Sequence, residues 1–381
     1  MSQIVAIDIT HHQLPLDPPF PASWDPQPRT KFPATLVRVR DSDGNEGIGS
    51  GDVMYGFADY ARYFIGEDPL DLGQHAARLT NIQFHAGRPW PLDLALWDLA
   101  GKIEGRPVWQ MLGGTSPRLR LYASSAVHRS VPLMVQTAQR MIDAGFQAMK
   151  VRFGRPAIDD DLAVIAAIRD AVGDRLTLMV DCNQGWRMPW DTAQPWDVEM
   201  ATVVAARLQA EDVFWMEEPL HRGDYDGMAE LRRRVRELGT MRIAGGEMTR
   251  ESYEFRELLQ RDCLDVFQPD CVCSQGISGL AVLARQVSAA GKIFTPHTWG
   301  NGIGVLANLH LIAGTVGHEG SLWVEWPYDP PEWSIERRDY PLAQHLRAVG
   351  GWIQLSDAPG LGCRLNEDLL ARTASPVATF Q

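Results

Sequence analysis

The sequence predicts an α/β protein with two parts: a (β/α)₈ barrel of the TIM type, and an α+β capping domain formed by the N-terminal segment and the C-terminal tail. Two observations favour the barrel. From about Arg118 onward, eight short apolar runs alternate with longer amphipathic segments in repeats of about 23 to 36 residues. No Gly-x-Gly-x-x-Gly follows any run, which disfavours a doubly wound open sheet. The predicted strands are residues 119–124, 148–153, 176–181, 213–217, 242–247, 266–269, 293–296 and 322–325.

The N-terminal part has the pattern of a small α+β unit. Residues 4–9 alternate like a strand, and residues 34–40 form a second strand candidate. A turn at Asp-Ser-Asp-Gly-Asn then leads into residues 46–49, which would return antiparallel. Helical periodicity is clearest over residues 92–104, and Pro107 begins a short helix that ends at a Gly-Gly pair.

Three segments follow from these changes of pattern. We expect a capping domain at residues 1–117 and a barrel at residues 118–330. The remaining residues, 331–381, are rich in proline at first, and we expect them to pack back on the capping domain.

Composition and charge exclude several classes of partner. The formal net charge is −12, which argues against a nucleic acid or an anionic membrane surface. An anionic small molecule stays open, because a metal ion or a few cations can invert the field inside a pocket. The start of the chain shows no signal-peptide pattern, no apolar stretch is long enough to cross a bilayer, and the five cysteines lack a disulfide-like spacing. We therefore expect a cytoplasmic protein with reduced thiols.

Ionisable residues stand where the predicted strands end. Strand interiors in a barrel should be apolar, yet seven consecutive strands, from the second to the eighth, each carry ionisable side chains near one end. In (β/α)₈ barrels the active site forms at the carboxyl ends of the strands. The pattern therefore predicts an active site at that end of the barrel.

Three acids on adjacent strands predict a site for a hard divalent cation. Asp181, Glu217 and Glu247 supply oxygen ligands of the kind that Mg²⁺ prefers, and three unpaired anions this close would repel each other without a cation. Asn183 points to the same side of the chain as Asp181 and could orient a substrate carboxylate or a metal-linked water. Glu218 is an alternative to Glu217, since either could face the barrel mouth.

Two cations on the second strand face the same way. Lys150 and Arg152 are two residues apart, so both side chains would point into the barrel. They could hold a substrate carboxylate and its developing negative charge, or they could form a structural ion pair with the acids. Arg152 is not expected to act as a base, because a guanidinium stays protonated.

A carboxylate and an imidazole end the sixth and seventh strands. Asp270 and His297 would lie close enough to meet, and a carboxylate on one ring nitrogen fixes the tautomer and raises the basicity of the other. His297 is therefore the predicted general base. Glu325, at the end of the eighth strand, could donate a proton or a hydrogen bond to a carboxylate oxygen of the intermediate.

Taken together, these residues resemble the mandelate racemase subgroup of the enolase superfamily, and the resemblance covers nearly the whole chain. Residues 97–102 and 112–114 are similar to the end of that family's capping domain. The resemblance implies that the three acids are Mg²⁺ ligands, that the Asp–His pair is the catalytic dyad and that the last acid completes the site. It also implies a small-molecule carboxylate substrate and, as in many members, a homo-oligomer.

The resemblance implies a reaction that begins with removal of a proton α to the substrate carboxylate. Mg²⁺ and Lys150 would stabilise the enediolate, and in the family's dehydratases a β-hydroxyl then departs to give a 2-keto-3-deoxy acid. Many members carry Lys-x-Lys on the second strand, where this chain has Arg152, so a racemase, which needs a second base, is disfavoured. The muconate-lactonizing type, with lysine on the sixth strand, is disfavoured because Asp270 stands there.

Substrate choice in this family depends on two mobile loops of the capping domain. The matching segments are residues 11–31, with Trp24, and residues 51–57, with Met54 and Tyr55. They do not identify the acid. The main hypothesis is acid-sugar dehydration; the alternatives are racemisation or epimerisation of an α-substituted carboxylate, and a catalytically silent barrel that acts as a binding protein.

Overall fold

The computed structural model describes residues 2–51, 60 and 62–380, with the backbone alone at 376–378 and 380. The strands are β1 (Ile4–Phe20), β2 (Arg29–Asp41), β3 (Glu46–Gly51), β4 (Arg118–Ser124), β5 (Ala148–Arg152), β6 (Thr177–Asp181), β7 (Val213–Glu217), β8 (Arg242–Gly245), β9 (Val266–Phe267), β10 (Ile293–Phe294), β11 (Val324–Pro327), β12 (Trp352–Gln354) and β13 (Ala374–Phe380). The helices are α1 (Leu72–Ala86), α2 (Trp90–Glu104), α3 (Val108–Met111), α4 (Val131–Asp143), α5 (Ile158–Val172), α6 (Val198–Ala210), α7 (Tyr225–Leu238), α8 (Ser252–Gln260), α9 (Gly276–Ala289), α10 (Gly302–Thr315), α11 (Gly317–Ser321), α12 (Ile335–Arg338) and α13 (Glu367–Thr373).

The smaller sheet joins the two ends of the chain. Its strands are antiparallel in the order β13-β1-β2-β3, so the C-terminal strand pairs with the N-terminal one. Helix α2 packs tightly on β3, and a Cβ atom at Gly47 or Gly49 would lie about 2 Å from a backbone oxygen of that helix. Only glycine permits so close an approach of strand and helix. The last strand of the tail therefore lies in the sheet of the N-terminal unit, whereas β12, earlier in the tail, pairs antiparallel with β4 of the larger sheet.

The larger sheet holds eight parallel strands, β4 to β11, in the order β10-β9-β8-β7-β6-β5-β4-β11. The last parallel strand pairs with the first, so the sheet curls round on itself. Among the described residues the backbone ladder is interrupted between β10 and β11. There the Thr295 hydroxyl donates to the Trp323 carbonyl at 2.5 Å. All eight predicted barrel strands are present, within a few residues at each end.

Side-chain alternation stacks the barrel interior in layers. One buried layer is apolar and comes from successive strands: Tyr122, Ala148, Met179, Trp215, Ala244 and Val266. Two residues further along β5, β6 and β7, on the same face, stand Lys150, Asp181 and Glu217. The apolar layer fills the barrel below, and the charged layer lies directly above it at the carboxyl ends of the strands.

Helix α2 also fixes the N-terminal unit to the barrel. Its buried Asp93 accepts hydrogen bonds from the Ser278 hydroxyl at 2.6 Å and from the Ser278 backbone N–H at 3.1 Å, in the first turn of α9. The Trp97 indole donates to the same hydroxyl at 2.8 Å. Burial raises the pKa of Asp93 to about 6, although these hydrogen bonds oppose the shift.

The segment 11–31 differs from the sequence-based expectation of a mobile loop. Strand β1 continues to Phe20 and β2 begins at Arg29, so only residues 21–28 form the hairpin tip. Pairing with β2 runs as far as Pro15 opposite Lys31 before the register shifts. The expectation of a loop over the whole segment is wrong, because ladder hydrogen bonds with a neighbouring strand outweigh the poor strand propensity of its prolines.

Two expectations from composition can be compared with the described residues. Among them, no helix combines the length and the apolar character that a bilayer crossing requires. All five cysteines are free thiols, as the absence of a disulfide-like spacing predicts.

Candidate active site

The three acids predicted as metal ligands meet in one place. Asp181, Glu217 and Glu247 are buried, and one carboxylate oxygen of each lies within 4.8 Å of the others. Oxygens bound to one octahedral Mg²⁺ lie about 3 to 4 Å apart, so small side-chain movements would complete the geometry. Glu247 Oε2 is buried and accepts no hydrogen bond from the described residues, as expected of an oxygen that would bind a cation. The residues therefore fit Mg²⁺.

Glu217, rather than its neighbour Glu218, belongs to this cluster. Glu217 accepts from the Lys150 ammonium at 2.6 Å and from the Gln268 amide at 2.8 Å. Burial raises its pKa to about 7, although Lys150 opposes the shift. The Glu218 carboxylate lies against Gly185 instead, so close that a Cβ atom on that glycine would be 2.3 Å from Glu218 Oε1. This resolves the ambiguity between the two acids.

Lys150 lies at the centre of the charged layer. Its ammonium is fully buried and is 2.6 Å from Glu217, 2.8 Å from Glu325 and 3.6 Å from Asp181. Burial alone would lower the pKa of Lys150, but these carboxylates outweigh it and hold the pKa well above the usual value. The surrounding carboxylates therefore stabilise Lys150 as a cation in this arrangement.

Hydrogen bonds and an aromatic ring fix the position of the Arg152 guanidinium. Its guanidinium donates to Asp181 at 2.6 Å, to Asn183 at 3.2 Å and to the Ser125 carbonyl at 2.9 Å. The Trp24 ring covers it, with 4.7 Å between Cζ and the ring centroid. Burial lowers its pKa, but Asp181 and the other acids raise it above its normal value. Arg152 thus partly neutralises Asp181, one of the predicted metal ligands, and offers no proton acceptor.

The predicted dyad is present beside the acid triad. His297 Nδ1 is 3.0 Å from Asp270 Oδ2, and His297 Nε2 is 3.6 Å from Glu247 Oε2. The other oxygen of Asp270 accepts from the Val272 N–H at 2.9 Å and from the Asn308 amide at 2.8 Å, which fixes the carboxylate. Burial lowers the pKa of His297, but the surrounding acids outweigh it and raise the pKa to about 10. The dyad has the geometry of an oriented imidazole base.

Glu325 is an acceptor in this structure. Its oxygens accept from the Ser124 hydroxyl at 2.8 Å and from the Thr298 N–H at 2.7 Å, besides the Lys150 ammonium. Burial raises its pKa, but Lys150, His297 and Arg152 outweigh it and lower the pKa to about 2. Glu325 lies in the cluster as predicted, while its role as a donor stays a prediction that would require one of these bonds to be given up.

Three residues were predicted to contact the substrate: Asn183, Trp24 and Tyr55. Asn183 lies at the end of β6, where its amide donates to the Phe153 carbonyl at 2.8 Å. Together with Trp24 it lines a cavity of about 760 Å³ beside the triad. Tyr55 lies outside the described residues, as does the greater part of the segment 51–57.

Several supporting residues were not predicted from the sequence. The Trp186 indole donates to Glu247 Oε1 at 3.0 Å, Asn308 holds Asp270, and Gln268 holds Glu217. The role of Asn308 could have been predicted from the sequence, because an amide in the middle of the otherwise apolar helix α10 needs a buried hydrogen-bond partner. The role of Trp186 could not, since nothing in the local sequence distinguishes it from a core tryptophan.

Comparisons with known proteins cover nearly the whole chain. D-galactarolactone cycloisomerase of Agrobacterium fabrum (strain C58) is 29% identical over 370 residues, 90% of this chain and 91% of the relative. The structure of a racemase from Streptomyces coelicolor A3(2) with bound magnesium has a TM-score of 0.83 at 25% identity, covering 98% of this chain and all of the other. That of L-talarate/galactarate dehydratase from Salmonella typhimurium LT2, liganded with Mg and L-lyxarohydroxamate, has a TM-score of 0.82 at 26% identity, covering 100% and 94%.

A match to a protein-family model identifies the family of this chain. The model described as "Enolase C-terminal domain-like" matches residues 133–369, which is more than half of the chain and contains the triad, the dyad and both cations. The resemblance to the mandelate racemase subgroup of the enolase superfamily is thereby confirmed, and this chain belongs to the enolase C-terminal domain-like family.

Proposed function

We propose that this chain is a Mg²⁺-dependent acid-sugar dehydratase, a hydro-lyase on a complete (β/α)₈ barrel whose capping domain is formed by both ends of the chain. The observation that carries the proposal is the position of His297, whose free Nε2 lies 3.6 Å from a carboxylate oxygen of the metal triad. The names of relatives support it, because they include a sugar-diacid dehydratase liganded with Mg and a sugar-lactone cycloisomerase.

The dyad provides the base. Nδ1–H donates to Asp270, and Nε2 faces the triad. The acids that raise the pKa of His297 include Glu247, so a divalent cation at the triad would offset them and leave Nε2 unprotonated as an acceptor. A bound Mg²⁺ would hold the substrate carboxylate, acidify its α-proton and stabilise the enediolate. Nε2 takes that proton, and the C–H electron pair first delocalises onto the carboxylate. The pair then returns to form the double bond between the α- and β-carbons as the β-oxygen leaves. The β C–O bond breaks, the protonated imidazole returns the proton to the leaving hydroxyl as water, and the enol tautomerises to a 2-keto-3-deoxy acid.

The two cations on β5 stabilise charge instead of transferring protons. Lys150 keeps its ammonium beside Glu217 and Glu325, where it can offset negative charge that develops on a substrate oxygen. Arg152 is committed to Asp181 and cannot accept a proton. Racemisation would need a base on the face opposite His297, and the residue at the position of the family's second lysine cannot serve as one. This supports dehydration over racemisation.

A cycloisomerase is the second candidate, favoured by the relative of that name. The same proton abstraction followed by loss of a β-oxygen would open a ring if that oxygen belongs to a lactone or an anhydro bridge. Dehydration removes one water from the substrate, whereas ring opening leaves its mass unchanged. Product mass therefore separates the two reactions.

The test is a panel of hydroxylated mono- and diacids, together with their lactones, incubated with enzyme and Mg²⁺. We expect at least one acid to give a 2-keto acid with the loss of one water, and chelation of the metal to stop the reaction. A lactone converted without change of mass would assign the cycloisomerase instead. Ligand binding without turnover across the panel would contradict both and favour the silent-barrel alternative.

Three expectations from the sequence stay predictions. They are the cytoplasmic location, assembly into a homo-oligomer and the domain boundaries at residues 117 and 330.

A further inference from the structure

A large cavity opens beside the metal triad on the side of β5 and β6. Its volume is about 760 Å³, and its wall includes the tip of the first hairpin and most of the segment between β6 and α6. Residues of that segment contact the triad directly: the Asn183 backbone N–H donates to Asp181 at 3.0 Å, and the Trp186 indole donates to Glu247 at 3.0 Å. The cavity therefore adjoins the triad, because Asn183 and Trp186 line its wall and also contact the triad.

The cavity has room for a ring beyond the reacting end of the substrate. No residue of the triad or the dyad lines it, so a carboxylate held at the triad would lie outside its volume of about 760 Å³. One glycosyl ring adds about 11 non-hydrogen atoms, or up to about 330 Å³ at the ~30 Å³ of a liquid water each.

The wall has the chemistry of a sugar site. Four tryptophans line it, and all are partly exposed; they are Trp24, Trp186, Trp190 and Trp196. Gln184, Arg187 and Asp191 supply polar groups between the aromatic faces. Flat apolar faces beside hydrogen-bonding groups suit a ring with one apolar face and a rim of hydroxyls. A ring without hydroxyls could not use the donors and acceptors that these groups retain beyond their bonds to neighbouring residues.

The wall is built in advance of any ligand. The Arg187 guanidinium donates to the Ala193 carbonyl at 2.6 Å, and Asp191 accepts from the Met188 N–H at 2.7 Å. The backbone of Gly185 is tied to Arg222 at 2.9 Å. Because these bonds already order the segment, a ligand would lose little free energy in arranging it.

We propose that this cavity is a distal subsite for a second sugar ring, so that the substrate is a sugar acid carrying a glycosyl group at the end far from its reacting carboxylate. The proposal rests on the proposed function for the reacting end. The carboxylate end lies at the triad beside His297, and the glycosyl ring lies against Trp190 and its neighbours.

The test compares pairs of acids that differ only in a glycosyl group on the hydroxyl farthest from the carboxylate. We expect kcat/KM to be at least tenfold higher for the glycosylated member. Trp190→Ala removes a half-exposed wall residue and should reduce this ratio at least tenfold. Tyr253→Ala, on an exposed aromatic of α8 outside the cavity, is the matched control and should leave the ratio unchanged.

A binding measurement separates this proposal from the proposed function. Calorimetry with His297→Asn, loaded with Mg²⁺, measures the affinity for each acid of a pair without turnover. Tighter binding of the glycosylated acid, weakened by Trp190→Ala, supports the subsite even if no acid is dehydrated. Equal binding of the two acids, or exclusion of the glycosylated one, overturns it even if simple acid sugars are dehydrated.

Discussion

Replacing Trp186 by Phe should weaken Mg²⁺ binding without removing any metal ligand. The indole N–H donates to Glu247 Oε1 at 3.0 Å. Among the described residues, Oε2 of the same carboxylate accepts no hydrogen bond, and His297 Nε2 lies 3.6 Å from it. The hydrogen bond from Trp186 therefore orients the Glu247 carboxylate. A hydrogen bond to a charged group contributes about 1.5 to 3 kcal/mol, and ~1.4 kcal/mol corresponds to a factor of ten. We expect the Kd for Mg²⁺ to rise about 10- to 100-fold, the range typical of residues that orient metal ligands.

The assay is calorimetric titration of metal-free protein with Mg²⁺ in the absence of substrate. Trp196→Phe is the matched control, because the backbone N–H of that residue, not its indole, makes the hydrogen bond to Gln184. We expect the control to bind Mg²⁺ as the unmodified chain does. An unchanged Kd for Trp186→Phe would refute the assignment of Trp186 as the residue that positions Glu247.

Two further predictions concern stability. The pKa of Asp93 is about 6 in the folded chain against an ordinary 3.8, so the folded state holds the proton more tightly and loses stability as the pH rises. Between about pH 4.5 and pH 7 the loss of folding stability amounts to about 2 kcal/mol. Asp93→Asn should not show this pH-dependent loss. The asparagine keeps both hydrogen bonds to Ser278 if the Ser278 hydroxyl accepts from the amide instead of donating. Urea unfolding at the two pH values measures the difference; parallel pH dependence in both proteins would contradict the assignment. Lys150→Met leaves Glu217 and Glu325 without their buried cation and should lower the free energy of unfolding by about 3 to 5 kcal/mol in chelator. A loss below about 1 kcal/mol would show that these charges are compensated elsewhere.

The barrel and its charged layer could be predicted from the sequence because both depend on local patterns. Eight apolar runs separated by helical segments specify the strands, and alternation within a strand decides which side chains share a face. Lys150 stands two residues after the buried Ala148, and Asp181 two residues after Met179, so their positions in the layer follow from counting.

The supporting contacts could not be predicted because they join residues that are distant in sequence. Trp186 and Glu247 are 61 residues apart, and Asp270 and Asn308 are 38 apart. Both strands of the first hairpin were predicted, but their extension into residues 11–31 was not, since the prolines there disfavour a strand locally and only pairing between β1 and β2 makes it one. The cavity beside the triad is a property of the packed loops, and no single segment indicates it.

His297→Asn tests the central claim most directly, that this imidazole takes the α-proton of an acid held at the triad. Asparagine can keep a hydrogen bond to Asp270 but cannot accept a proton at working pH. With an acid that the unmodified enzyme dehydrates, we expect 2-keto acid formation to fall at least a thousandfold, near the upper part of the range for general-base catalysis. The Kd for Mg²⁺ in the same variant should stay within about threefold. Turnover within tenfold of the unmodified enzyme would contradict the assignment of His297 as the base.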